Sequence, residues 1–161
     1  MSSLLDQLIE AQQGSGTKRK CFLSYYSEDK HRVDKFLRDF GDVFISKAIG
    51  VSDGDDFINS EDTDYVMSQI RKKYLGDSTV TICFLGQCTH SRRYVDWELK
   101  TTLRKGSYTP NGLLGILLPH MGNSCFLPPR FKENWSKGEN DCYALYRGYP
   151  HSKKELKRWI E

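Results

Sequence analysis

The chain has no run of about 18 apolar residues, so no membrane-spanning helix is expected, and no basic segment followed by an apolar core at its N-terminus, so secretion is not expected either. The cytoplasm is the expected location. Cysteines are few: Cys21, Cys83, Cys88, Cys125 and Cys142 are odd in number and share no Cys-x-x-Cys spacing, which argues for free thiols rather than a disulfide framework or a zinc site. The histidines at 31, 90, 120 and 151 show no metal-ligand spacing, and no metal is expected. Excess charge of one sign is also missing. A net charge of +3 with dispersed basic residues gives no electrostatic footprint for nucleic acid. There is no Gly-x-x-x-x-Gly-Lys-Ser/Thr, which excludes a P-loop, and Gly14-Ser15-Gly16 follows no strand and so is no dinucleotide fingerprint.

What is present reads as one soluble α/β domain. At 161 residues, with 38% hydrophobic and 28% charged residues, the chain is long enough for a full core. Residues 1–20 read as a short amphipathic helix (Leu4, Leu5, Leu8, Ile9) on a flexible lead-in; residues 21–161 read as the domain, with its core at about 21–119 and an irregular aromatic-rich region plus a C-terminal helix over 120–161. Cys21–Tyr26 is a short apolar strand. Arg32–Phe40 carries Val33, Phe36, Leu37 and Phe40 at helical spacing and stops at Gly41. Val43–Ile45 is a weak strand, Ile49–Asp64 a loop rich in Gly, Asp and Ser, and a helix with Val66, Ile70 and Tyr74 on one face runs from near Asp64 to Gly76. Thr79–Leu85 is almost continuously apolar, as in parallel strands buried on both faces. Ser91 is placed to cap a helix whose stripe is Val95, Leu99 and Leu103; Leu113–Leu118 is a further buried strand, with one more expected at Cys142–Tyr146. Ser152-Lys153-Lys154-Glu155 fits a capping box for the last helix. This alternation implies right-handed βαβ units in a single doubly wound, mostly parallel sheet of flavodoxin-like order with helices on both faces.

Open sheets of this kind bind ligands outside the carboxyl ends of their strands. A phosphate-receiver domain would need an aspartate at the end of the central strand, where Gly86 stands. The polar residues that converge on the strand ends are Ser24, Tyr25 and Tyr26 after the first, Asp53, Asp55 and Asp56 after the second, and Thr89, His90 and Ser91 after the third, with Glu98 on the helix beside them. Glu98 precedes Leu99 of the apolar stripe by one position. Spacing therefore puts it at the stripe's border, where a glutamate is usually a solvated surface residue; the place is compatible with a cleft edge and does not require one. A single carboxylate in such a cleft is sufficient for one class of chemistry. The nicotinamide of NAD leaves its ribose as a neutral pyridine and needs no general acid, while positive charge develops on the ribose ring. A fixed carboxylate stabilises that charge and aromatic side chains clamp the flat bases.

Lys20–Tyr26 (Lys-Cys-Phe-Leu-Ser-Tyr-Tyr), Ser78–Gly86 (Ser-x-Val-Thr-x-x-x-x-Gly), Thr89–Leu99 (Thr-x-x-Arg-x-x-Val-x-x-Glu-Leu) and Leu113-Leu114-Gly115-Ile116 together resemble the TIR-like domains, in particular the TIR-like NAD-cleaving proteins of bacterial Thoeris anti-phage systems. The resemblance covers roughly Arg19–Leu118, and the middle segments are the specific ones. It implies Glu98 as the catalytic glutamate, with Phe22, Ser24 and Tyr25 as cleft residues on the first strand and its exit. It places Asp55 and Asp56 in the loop that covers the site. Tyr94 stands where the family usually has tryptophan, and Trp97 where an aromatic is common. Arg93, with Arg92, either steers the pyrophosphate by charge and bidentate hydrogen bonds or is solvated in the first turn, where a cation is not favoured.

The function this implies is cleavage of the nicotinamide–ribose bond, with NAD as substrate rather than cofactor. The product would be a cyclic ADP-ribose isomer, a diffusible nucleotide that activates a separate effector protein, and self-association on activation is a further expectation. Two other readings stay open: a non-catalytic TIR scaffold acting by self-association, and an N-glycosidic enzyme like the nucleoside deoxyribosyltransferases, in which the glutamate attacks the sugar.

Overall fold

A computed structural model describes residues 18–104, 109–122, 125–135 and 143–161. The expected N-terminal helix over residues 1–10 lies outside them. Five parallel strands form one sheet in the order β2-β1-β3-β4-β5. They are β1 (Lys20–Ser24), β2 (Ile45–Lys47), β3 (Val80–Leu85), β4 (Gly112–Leu117) and β5 (Ala144–Arg147). The helices are α1 (Lys30–Phe40), α2 (Thr63–Ile70), α3 (Arg93–Leu103), α4 (Pro129–Glu133) and α5 (Lys153–Ile160), with short 3-10 turns at Ser27–Asp29, Thr89–Ser91 and Pro119–Met121. This is the doubly wound order, with its switch between β1 and β3. Among the described residues no helix is long and apolar enough to cross a membrane.

The side-chain alternation of β3 builds both layers. Val80, Ile82 and Phe84 point to the face covered by α1 and α5, where they meet Val33, Phe36, Phe40, Leu156 and Ile160. Cys83 and Leu85 point to the opposite face, against Val95 and Leu99 of α3 and Phe131 of α4. A third cluster, Phe22, Phe57, Val66, Met67, Ile70 and Leu75, lies under α2 and the loop before it. All six residues of β3 are buried, as a strand covered on both sides requires.

Several boundaries differ from the sequence expectation. The second strand is Ile45–Lys47 rather than Val43–Ile45; Phe44 is buried under α1, and pairing with β1 begins at Lys20 opposite Ile45. The fifth strand, expected at Cys142–Tyr146, is Ala144–Arg147; Tyr143 precedes it and Cys142 lies outside the described residues. The helix expected to run unbroken to Gly76 changes to a π turn at Arg71–Leu75, where the Gly76 N–H reaches back five residues to the Arg71 carbonyl at 2.7 Å. Ser91 does not cap α3. It belongs to the preceding 3-10 turn and its hydroxyl donates to the Cys88 carbonyl, which leaves Arg92 as an N-cap residue without a capping side chain. The capping box at Ser152 forms with a shift. The Ser152 hydroxyl accepts from the Glu155 N–H as expected, while the Glu155 carboxylate accepts from the His151 N–H.

Candidate active site

At the carboxyl ends of β1 and β3 the chain leaves a cavity of about 490 Å³, within the usual range of roughly 300–1,000 Å³ for ligand pockets. The exit of β1 contributes Leu23, Tyr25, Tyr26 and Ser27; the β2–α2 loop contributes Gly50, Val51 and Asp53; the start of α3 contributes Arg92, Arg93, Tyr94, Val95 and Glu98.

Glu98 is 4% exposed, well inside the helix seam rather than at its border. The buried residues of α3 are Val95, Glu98, Leu99, Thr101 and Thr102, of which Val95, Glu98, Leu99 and Thr102 form an i, i+3, i+4, i+7 set. Leu103, expected on the stripe, is only partly buried. The helix is thus rotated so that three polar residues, Glu98, Thr101 and Thr102, are buried where counting apolar residues assigns none. The Glu98 carboxylate is held from two directions: the Ser24 hydroxyl donates to Oε1 at 2.8 Å and the Val51 N–H donates to Oε2 at 2.8 Å. Gly50 makes this approach possible, because a Cβ there would overlap Oε2. Burial pushes the Glu98 carboxyl up from 4.5 to about 7, against the opposing pull of the Ser24 and Val51 hydrogen bonds.

Around this acid the walls are aromatic and cationic. The Tyr25 hydroxyl donates to the Ala48 carbonyl at 3.1 Å, tying the exit of β1 to the loop after β2. The Arg92 guanidinium lies 4.0 Å over the Tyr26 ring, and Arg93 sits between the rings of Tyr94 and Trp97 at 4.9 and 5.0 Å. The Tyr94 hydroxyl donates to the Asp53 carboxylate across the mouth of the cleft, and Arg93 donates to the same hydroxyl.

The other expected site residues are placed differently. Phe22 is fully buried and faces the cluster of Phe57 and Ile70, one layer below the cleft. Asp55 is buried and turned inward: the Tyr74 hydroxyl and the Lys73 ammonium hold its side chain, and it accepts from the Ser52 N–H at 2.9 Å. Burial alone would raise this carboxyl, but these hydrogen bonds outweigh it and hold it below the ordinary aspartate value. Asp55 thus anchors the loop, and the loop's cleft-lining acid is Asp53. Asp56 is exposed and does not line the cavity. Trp97 packs partly onto the Phe57 cluster and backs the cleft through Arg93 and Tyr94. Gly50 and Val51 were not anticipated, since a backbone donor and a missing side chain leave no chemical signature in a loop sequence.

The Gly86 position, where a receiver aspartate would stand, is occupied in space by another acid. Asp29 lies so close that a Cβ on Gly86 would overlap its carboxylate, which accepts from Arg32 at 2.9 Å. Among the described residues no group of three His, Cys, Asp or Glu side chains is arranged to hold a metal ion.

A family model described as Thoeris protein ThsB, TIR-like domain, matches residues 22–123. That stretch spans β1 through the turn after β4, and so contains every residue that lines the cleft. The curated proteins offer no match to the chain.

Proposed function

The chain belongs to the TIR-like domain family of Thoeris protein ThsB, and from that premise we propose that it cleaves the nicotinamide–ribose bond of NAD in the cleft around Glu98. The observation that carries this reading is the Glu98 carboxylate, buried and held from two sides, at the switch point of a doubly wound sheet. Burial raises the Glu98 carboxyl to about 7, so near neutral pH its neutral form is far more populated than that of an ordinary glutamate. A pyridinium ring entering beside it favours the ionised form, because an opposite charge at short range lowers a carboxyl pKa. The ionised carboxylate then stabilises the positive charge that grows on the ribose as neutral nicotinamide departs. Once the bond is broken, a carboxylate with a pKa near ambient pH is matched to accept the proton of the attacking hydroxyl. If that hydroxyl belongs to the same molecule the product is a cyclic ADP-ribose isomer; if it is water the product is linear ADP-ribose.

The rest of the cleft supports a dinucleotide. Arg92 and Arg93 supply cationic forks, and the uncapped start of α3 leaves helix-end N–H groups beside them; both suit a pyrophosphate. Tyr25, Tyr26 and Tyr94 offer ring faces for the nicotinamide and adenine. On this reading the product is a nucleotide signal in anti-phage defence, released to a separate effector protein. The test is to incubate the protein at high concentration with NAD and resolve nicotinamide, cyclic ADP-ribose isomers and linear ADP-ribose. Nicotinamide release together with a cyclic product is expected. Intact NAD, with Glu98 equally dispensable for whatever the protein does, would favour the scaffold reading.

A further inference from the structure

Glu98 and Thr102 lie one turn apart on the buried seam of α3, and the Thr102 hydroxyl donates to the Glu98 main-chain carbonyl at 2.9 Å. That uses its one proton, so at 2.8 Å from Thr81 Oγ1 the Thr102 oxygen must accept. Thr81 therefore spends its own proton on Thr102, and its oxygen accepts from Asn111 Nδ2 at 3.2 Å. Asn111 also donates to Ser78 Oγ at 3.0 Å and accepts from Arg71 Nη1 at 2.7 Å. Arg71, Ser78, Thr81, Glu98, Thr102 and Asn111 are all buried. The donors and acceptors fit only one direction, from the Arg71 guanidinium through Asn111, Thr81 and Thr102 to the peptide carbonyl of Glu98. Hydrogen bonds aligned this way in a dry interior polarise one another.

We propose that Thr81 and Thr102 are positioning residues for Glu98, their hydroxyl pair fixing the rotation and height of α3 on β3 and thereby where the carboxylate meets Ser24 and Val51. The inference rests on the reading of Glu98 as the reacting carboxylate. Two features of the fold call for such a device. No side chain caps the first turn of α3, and the ties at that end, Tyr94 to Asp53 and Arg92 over Tyr26, lie at the solvent-facing mouth of the cleft. The apolar contacts of Val95 and Leu99 are non-directional and tolerate sliding, whereas a pair of buried hydroxyls does not. The reference frame is also the appropriate one. In β1, Phe22 is in register with Thr81 and Ser24 with Cys83, so β3 sets the place of the Ser24 hydroxyl as well as that of α3. The Ser24 partner of the Glu98 side chain and the Glu98 backbone are thus referred to one strand, and a displacement of about 1 Å in such a site is worth on the order of 100-fold in rate.

The test uses Thr81→Val and Thr102→Val, which replace a hydroxyl with a methyl of similar size, and Thr81→Ser and Thr102→Ser, which keep it. The Glu98 carboxyl is titrated by carbon NMR, with Glu98→Gln to assign its signal, and NAD cleavage is measured in parallel. The valine variants are expected to move the Glu98 midpoint towards the ordinary carboxylate value by about half a unit or more, as water reaches a loosened carboxylate. They are also expected to lower kcat roughly 10- to 100-fold with KM nearly unchanged, and the serine variants should restore both. Valine variants that melt earlier yet keep the wild-type titration and kcat would overturn the inference and leave the pair a packing feature only. Thr81→Ala, which empties the space beside Thr102 instead of filling it, carries the same expectation if Thr81→Val does not fold. If the wild type leaves NAD intact, the proposed function fails while the titration still decides the positioning role.

Discussion

Glu98 costs the fold stability above neutral pH, and removing its charge should return it. Its carboxyl is pushed from 4.5 up to about 7 by burial, so the folded state binds its proton more tightly than the unfolded chain does. The sign follows from that: stability is fully present below the unfolded pKa, falls as pH rises through the window from 4.5 to about 7, and stays low above it. At about 1.4 kcal/mol per unit, the full cost is on the order of 3 kcal/mol near pH 8 and under about 1 kcal/mol near pH 5. Glu98→Gln keeps the shape of the neutral acid and cannot ionise. It loses part of the bonding to Ser24 and Val51, but it does so at every pH. The difference between its effects at pH 8 and pH 5 therefore isolates the charge, and should be about 2–3 kcal/mol in favour of the variant at the higher pH. For a domain of this size that corresponds to roughly 4–12 °C in Tm. Urea or thermal unfolding of both proteins at the two pH values measures it. An equal shift at both would refute the reasoning, because it would mean that Glu98 ionises in the fold as easily as in water.

Three further outcomes follow from the same geometry. Ser24→Ala removes a donor to the ionised carboxylate, so the acidic limb of the pH–rate profile for NAD cleavage should move up by roughly one unit; an unmoved limb would mean that this hydrogen bond does not stabilise the charge. Gly50→Ala puts a methyl into the Glu98 carboxylate and should cost about 1–3 kcal/mol in urea unfolding, together with most of the NAD cleavage; a variant with wild-type stability and rate would contradict the close approach. Tyr74→Phe takes one donor from the buried Asp55 and should cost about 1–3 kcal/mol near neutral pH. Since Asp55 is held below its ordinary value, that loss should shrink as pH falls through the carboxylate range, which a pH series of unfolding curves would show.

The order of the sheet was legible because its central strands are unbroken apolar runs separated by turn residues. Val80–Leu85 and Gly112–Leu117 lie where those runs predict, and their parallel pairing follows from the helical segments between them. The rotation of α3 was not legible. Its seam contains Glu98 and Thr102, which no count of apolar residues includes, and their burial depends on partners in β1, β3 and a distant loop. The place of Asp55 was hidden for a related reason. Its partners Lys73 and Tyr74 are brought to it by a π turn 18 and 19 residues further on, and the sequence gives no sign that the helix changes pitch there. Asp53, Tyr26 and Arg92 did show themselves as polar or aromatic residues near strand ends and do line the cleft, whereas the contributions of Gly50 and Val51 are made by backbone and by space.

The catalytic role of Glu98 is decided by nicotinamide release from NAD by wild type and Glu98→Ala side by side, at high and equal protein concentration. Release by the wild type is expected, with a loss of at least about 100-fold in the variant, because the group that stabilises transition-state charge is removed. Equal rates in the two proteins, or no release by the wild type, would contradict it.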